Sequence, residues 1–322
     1  MFEKLDTPLF LAEARGDYGT IRPFSFWRKL LTFLIIFMIG SFLQGIVLSA
    51  VLTVCVFQDE ALLGTMMEGA NATDSAVMTE KMAELLSSPL SIVCILFASA
   101  LSALCAFVYC RKFEKRSFLS MGIRKKRLVR SLAVGALCGV LLSAFSFLFA
   151  YLFDGVRVTG VASFQPLLVV LLFLGIAVQA FSEEILFRGY LLPSLASGMP
   201  LLRSVLIVSF VYAFLQPSGE TISFLGFANS FLLGLLLSLC MIRTGNLFAG
   251  AAFCTVLRAG LGLFLGSPVF GLVLPETVLS LSFSEGGKLI HGGALGMESG
   301  IAVSFALTLG LALLAMKKTR TD

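Results

Sequence analysis

The chain has 322 residues, of which 58% are hydrophobic and only 13% are charged, and its mean hydropathy is +0.97. Such a composition has too little polar surface to cover a water-soluble globule of this size, so it excludes a soluble domain and indicates a polytopic membrane protein. The net charge of +5 does not indicate a nucleic-acid partner, because the Lys and Arg residues lie in short segments between apolar runs, where they act as topology signals.

The apolar runs are continuous rather than alternating, which favours transmembrane helices. Residues 192–203 contain two prolines and predict a break, and the glycine-rich residues 267–299 predict an outside or re-entrant loop. The sequence therefore predicts an all-α fold of about eight transmembrane helices. The predicted spans are residues 30–57, 90–110, 131–153, 166–187, 204–216, 222–242, 246–265 and 300–316.

The charged segments between the spans predict the orientation of the chain. Residues 58–89 carry six acids against one lysine and predict an outside loop, whereas residues 111–130 carry nine Lys or Arg against one acid and predict an inside loop. Residues 1–29 lack the pattern of a cleaved signal peptide, so the first span is expected to remain as an anchor. Together with the basic tail, residues 317–322, this predicts that both termini are cytoplasmic.

Two carboxylates and a guanidinium lie at the end of the fourth predicted span, where charges are costly and seldom accidental. Glu184 and Arg188 are four residues apart and share a helix face, so they can pair. Glu183 projects about 100° away from Glu184. This spacing predicts that Glu183 is free to act as a base.

The run Glu-Glu-x-x-x-Arg-Gly-Tyr-Leu-Leu-Pro at residues 183–193 resembles motif 1 of the CPBP family (CAAX protease and bacteriocin-processing, also called Abi) of intramembrane peptidases. Motif 2 of the family, Phe-x-x-x-His, aligns with Tyr212 at the phenylalanine position and Gln216 at the histidine position. Motif 3 aligns with Cys254 at its histidine position and Arg258 at its asparagine position. Both family histidines are therefore replaced.

The resemblance covers most of residues 166–316, which we interpret as a CPBP-like peptidase core preceded by additional transmembrane helices in residues 30–165. Residues 290–300 also resemble the glycine-rich loop before the last helix of bacterial members. The resemblance implies that Glu183 is the catalytic base and that Glu184 and Arg188 support it. It places the protein in a bacterial cell membrane.

No cofactor is expected from the sequence. The chain has a single histidine, His291, which excludes a metal site built from one glutamate and two histidines. Its seven cysteines show no paired metal-ligand spacing. The cation at Arg258 leads to the hypothesis that the family site has become a structural ion pair, in which Glu183 would be a poor base.

The replaced positions have other interpretations. Gln216 can donate a hydrogen bond to an oxyanion, or it can be a helix end that faces water. Cys254 is typical of close packing between membrane helices. Arg258 can pair with an acid or extend its charge to the membrane interface.

Three functions remain open on the sequence. The first is a glutamate-based intramembrane endopeptidase, which would act on a peptide or a membrane protein. The second is a catalytically degenerate member that binds such a partner, for example as an immunity protein. The third is a secondary transporter, because buried acids, an arginine and broken helices also form ion pathways. The lipid bilayer is a partner in every case.

Overall fold

The computed structural model describes residues 25–58, 72–216, 223–269 and 271–316, together with residues 11, 12 and 14. The tail at residues 317–322, most of the segment at residues 1–29 and part of the acidic segment at residues 58–89 lie outside the described residues. The predicted orientation of the termini therefore stays a prediction.

Helices form almost all of the described structure, and the single sheet consists of two antiparallel strands. Single turns of helix lie at Leu119–Met121, Glu285–Gly287, Lys288–His291, Gly293–Leu295 and Met297–Ser299. The strands are β1 (Val156–Val161) and β2 (Leu279–Phe283). The longer helices are α1 (Phe26–Gln58), α2 (Ala72–Leu86), α3 (Pro89–Lys112, interrupted at Ser99), α4 (Leu128–Leu152), α5 (Pro166–Ala196), α6 (Leu201–Leu215), α7 (Phe224–Thr244), α8 (Phe248–Phe264) and α9 (Ile301–Met316).

The predicted polytopic membrane fold is confirmed. Within the described residues, five helices are long and apolar enough to cross a membrane, namely α1, α3, α4, α5 and α7. Helices α6, α8 and α9 are apolar but shorter. Each of the eight predicted spans corresponds to one of these helices.

The helix α5 is longer than predicted, because the expected break at residues 192–203 is reduced to Ser197–Pro200. The chain passes from α-helix into a π-helix at Ile185–Leu191, where the Leu192 amide donates to the Phe187 carbonyl, five residues back. A π-helical turn relieves the crowding that a proline such as Pro193 causes in a regular helix. The charged residues therefore lie within this helix instead of at its end.

Two further elements were not predicted. The helix α2 lies within the segment predicted as an outside loop, and the strands β1 and β2 pair across more than a hundred residues of sequence. Both strands are short, and their pairing depends on the helices that bring them together. Neither element changes the all-helical class of the fold.

The basic segment at residues 111–130 has a structural role beyond topology. Arg116 is completely buried, and its Nη2 donates to the Gly189 carbonyl of α5 at 3.1 Å. Glu114 forms a buried ion pair with Lys29 of α1 at 2.7 Å. This segment therefore fixes α1 and α5 relative to each other.

Helices α4 and α8 pack against each other at a small-residue surface. A Cβ atom at Gly135 would overlap the Ala249 carbonyl oxygen, and one at Gly139 would lie 2.8 Å from the Phe253 carbonyl oxygen. Such a Gly-x-x-x-Gly spacing allows close backbone approach between membrane helices. This contact positions α8, which carries Arg258.

The substitution Gly135→Ala is expected to destabilise the protein by about 1–3 kcal/mol, because the added methyl group forces α4 and α8 apart. Thermal unfolding in detergent measures this loss. Gly45→Ala is the matched control, since its Cβ would meet nothing within 4 Å, and the native stability or slightly more is expected. Equal unfolding temperatures for the two variants would show that the α4–α8 contact is not tight.

Candidate functional site

The centre of the candidate site is an ion pair between α5 and α8. Arg258 donates from Nη1 to Glu183 Oε1 at 2.8 Å and from Nη2 to Glu183 Oε2 at 2.7 Å. The Arg258 side chain is 4% exposed and that of Glu183 is 20% exposed. Two parallel, charge-assisted hydrogen bonds make this a strong contact with a fixed geometry. Both oxygens of the predicted base are therefore occupied.

Tyr212 of α6 adds a hydroxyl group to the pair. The hydroxyl lies 3.5 Å from Glu183 Oε2 and accepts a hydrogen bond from Arg258 Nη2 at 3.4 Å. The side chain is completely buried. Because Tyr212 aligns with the phenylalanine of motif 2, this hydroxyl is an addition to the pattern that the resemblance implies.

Glu184 and Arg188 form a second ion pair on a neighbouring face of α5, as their spacing predicts. Arg188 Nη1 lies 3.1 Å from Glu184 Oε1, and both side chains are buried. The contact lacks hydrogen-bond geometry at Nη1, so its attraction is electrostatic. Arg188 is fixed instead by a hydrogen bond from Nη2 to the Gly234 carbonyl of α7 at 3.2 Å and by the Tyr212 ring, 4.4 Å from its guanidinium carbon.

Both helices that carry the site change from α-helix to π-helix just after the residues of the Glu183–Arg258 ion pair. In α5 the change begins at Ile185, directly after Glu184, and in α8 it begins at Ala259, directly after Arg258. Short π-helical segments occur frequently at functional sites. The sequence analysis missed both segments, because side-chain periodicity does not distinguish one wide turn from a regular one.

The two positions that replace the family histidines differ in their surroundings. Cys254 is 2% exposed and lies one turn before Arg258, close enough to Glu183, Glu184 and Arg258 to interact with them electrostatically. Gln216 caps the end of α6, is partly exposed, and makes no hydrogen bond to any residue that the structure describes. The structure thus brings together the candidate site residues other than Gln216.

Glu298 is a buried acid that the sequence analysis did not select. It lies in the single helical turn before α9 and is 5% exposed. Asn229 of α7 holds this turn by donating to the carbonyls of Glu298 at 2.9 Å and Gly300 at 3.0 Å. An acid directly before an apolar span is a signal that could have identified it.

The residues of the site do not fit a metal ion bound through Glu183. Both Glu183 oxygens accept hydrogen bonds from Arg258, and the ring of His291 lies 2.9 Å from the Ser284 carbonyl. In the described ranges, no group of three or more His, Cys, Asp or Glu is placed to hold a metal.

The part of the chain from α5 to most of α8 matches the model of a known protein family. Residues 163–260 match the family model described as Type II CAAX prenyl endopeptidase Rce1-like. The predicted resemblance to the CPBP family is thereby confirmed, and the matched segment contains both ion pairs together with Tyr212, Gln216 and Cys254. A search of curated proteins found no match. Glu298 and α9 lie beyond the matched segment.

Proposed function

We propose that this CAAX/CPBP-type intramembrane endopeptidase-like protein binds a peptide or a membrane protein without hydrolysing it. The observation that carries the proposal is the two-point contact of Arg258 with Glu183. The resemblance suggests a bacterial cell membrane as the setting and immunity as a role.

Hydrolysis of an amide needs a base that accepts a proton from water and donors that face the developing oxyanion. Glu183 is the acid at the family's base position. Accepting a proton there would break at least one charge-assisted hydrogen bond and leave the buried guanidinium of Arg258 poorly compensated. Both oxygens of Glu183 therefore stay engaged as long as Arg258 is in place.

The replaced histidines remove the other means of moving protons. The Gln216 amide can donate a hydrogen bond, but it cannot exchange a proton near neutral pH as an imidazole does. The Cys254 thiol is buried and is a weak donor. The site therefore keeps the family scaffold while lacking a proton carrier at either position.

A second candidate is glutamate-based hydrolysis, which the exposure of Glu183 favours. Its side chain is 20% exposed, whereas that of Glu184 is 2% exposed, so the first acid is accessible from outside the helix bundle and the second is not. In this alternative, an arriving substrate displaces Arg258 and the Tyr212 hydroxyl donates to the oxyanion.

The two candidates are separated by restoring the family residues. We expect purified native protein in liposomes to cleave no member of a library of peptides and membrane proteins. The triple variant Gln216→His, Cys254→His and Arg258→Asn returns both histidines and the asparagine, and it frees Glu183. We expect it to cleave, with detection by mass spectrometry of the products.

Two controls define the result. Adding Glu183→Ala to the triple variant should abolish its cleavage, and a chelator tests whether the restored site depends on a metal. Cleavage by the native chain that disappears in Glu183→Ala would contradict the proposal and establish glutamate-based hydrolysis. If neither the triple variant nor the native chain cleaves, more than these three positions has been lost. That result would still support a non-hydrolytic protein.

A further inference from the structure

The buried charges around the site do not balance. Glu183, Glu184 and Glu298 contribute three carboxylates, whereas Arg188 and Arg258 contribute two guanidinium groups. An uncompensated charge in a low-dielectric interior strongly destabilises the folded state. One additional positive charge is therefore needed close to these five groups.

Glu298 is the acid without a partner. Both of its carboxyl oxygens are buried and have no hydrogen-bond partner among the residues that the structure describes. The charged groups that act on it are Arg258 and Glu183. Arg258 already directs both terminal nitrogens to Glu183.

The other polar groups near Glu298 are also occupied. Asn229 donates to backbone carbonyls and accepts from the Ser304 hydroxyl at 2.5 Å. His291, two helical turns earlier in the chain, contacts the Ser284 carbonyl through Nε2 and accepts from the Gly293 amide at Nδ1. Among the described residues, no neighbouring side chain is thus available to compensate the carboxylate.

The position of Glu298 is fixed by its backbone. The Met297 amide donates to the Ser267 hydroxyl at 3.0 Å. Gly296 has a φ of +86°, and a side chain there would overlap the Pro268 carbonyl. These contacts fix the backbone that leads into Glu298, and the side chain of Glu298 is buried in this conformation.

Water does not stabilise the Glu298 carboxyl group either. Both of its oxygens are inaccessible to solvent. The small cavity beside this residue is lined almost entirely by apolar side chains, so it does not offer a water molecule the two to four polar partners that it needs. The apolar lining residues are Leu233, Leu257, Val303 and Leu307.

We propose that Glu298 is a proton-binding site, in which the buried carboxyl group is neutral. The bound proton neutralises one of the three carboxylates, so the two that remain are matched by the two guanidinium groups. Arg258 then stays paired with Glu183. This inference goes beyond the proposed function and does not depend on it, since it concerns the charge state of the site whether or not the protein cleaves a peptide.

Infrared spectroscopy of the full chain in liposomes tests the assignment, because a protonated carboxyl group has a carbonyl stretching band that an ionised one lacks. At neutral pH we expect this band in the native protein, its loss in Glu298→Gln and a displaced band in Glu298→Asp. Glu285→Gln, at an exposed residue of the same loop, is the control and should leave the band unchanged.

A band that is absent from the native protein, or that persists in Glu298→Gln, would overturn the assignment. If the band is absent and added sodium raises the unfolding temperature of the native protein but not of Glu298→Gln, a monovalent cation replaces the proton. Both measurements are independent of cleavage, so failure of this inference is distinguishable from failure of the proposed function.

Discussion

The substitution Arg258→Ala is expected to lower the free energy of unfolding by about 3–5 kcal/mol, because it leaves the Glu183 carboxylate without its partner in the protein interior. The Glu183 side chain is 20% exposed and therefore not fully enclosed, so we expect a value near the lower end of this range. The variant also removes the hydrogen bond from Arg258 to the Tyr212 hydroxyl. Thermal unfolding in detergent micelles provides the measurement.

Arg157→Ala is the matched control for this prediction. Arg157 pairs with Asp154 at 3.2 Å, but the two side chains are 74% and 79% exposed, and exposed pairs contribute little to stability. We expect no measurable change in its unfolding temperature. If Arg258→Ala is as stable as Arg157→Ala, the Glu183–Arg258 contact does not hold the site together.

The substitution Arg188→Ala is expected to have a similar or larger effect, again about 3–5 kcal/mol or failure to accumulate folded protein. Its side chain is completely buried and that of Glu184 is 2% exposed, so no water replaces the lost charge. Glu184 fits against α8 because Gly250 has no side chain. A Cβ at Gly250 would lie 2.5 Å from Glu184 Oε2. The carboxylate is therefore confined next to the position that the arginine vacates.

Two variants identify the source of this loss. Arg188→Ala combined with Glu184→Ala removes both charges and should recover part of the stability, because no unpaired charge remains. Arg188→Lys keeps the charge but cannot reproduce the planar contact with the Tyr212 ring, so we expect intermediate stability. If Arg188→Ala and Arg188→Lys both unfold at the same temperature as the native chain, the Glu184–Arg188 pair does not contribute to stability.

The helical architecture and both ion pairs could be predicted from the sequence, but for different physical reasons. Continuous apolar runs of membrane-spanning length have few structural alternatives, so the spans could be located within a few residues, except at the end of α5. The Glu184–Arg188 pair followed from the four-residue repeat of a helix. The Glu183–Arg258 pair joins distant helices and was predicted only because the family motifs align the two positions.

The features that escaped prediction depend on local backbone geometry or on long-range contacts. The continuation of α5 through Pro193 rests on a π-helical segment, whose wide turn leaves no periodicity signal in seven residues. The pairing of β1 with β2 requires the bundle to assemble first. The burial of Glu298 depends on the turn at Gly296, and a single acid in a glycine-rich segment resembles an exposed loop residue.

The coupling free energy between Glu183 and Arg258 decides whether this ion pair holds the site together. Unfolding of Glu183→Ala, Arg258→Ala and the double variant, compared with the native chain, completes a double-mutant cycle. If the pair is the working state of the site, the double variant should lose less stability than the sum of the single variants, with a coupling on the order of 1–3 kcal/mol. Additivity within about 0.5 kcal/mol would contradict it, because Glu183 would then be energetically independent of Arg258 and available as a base.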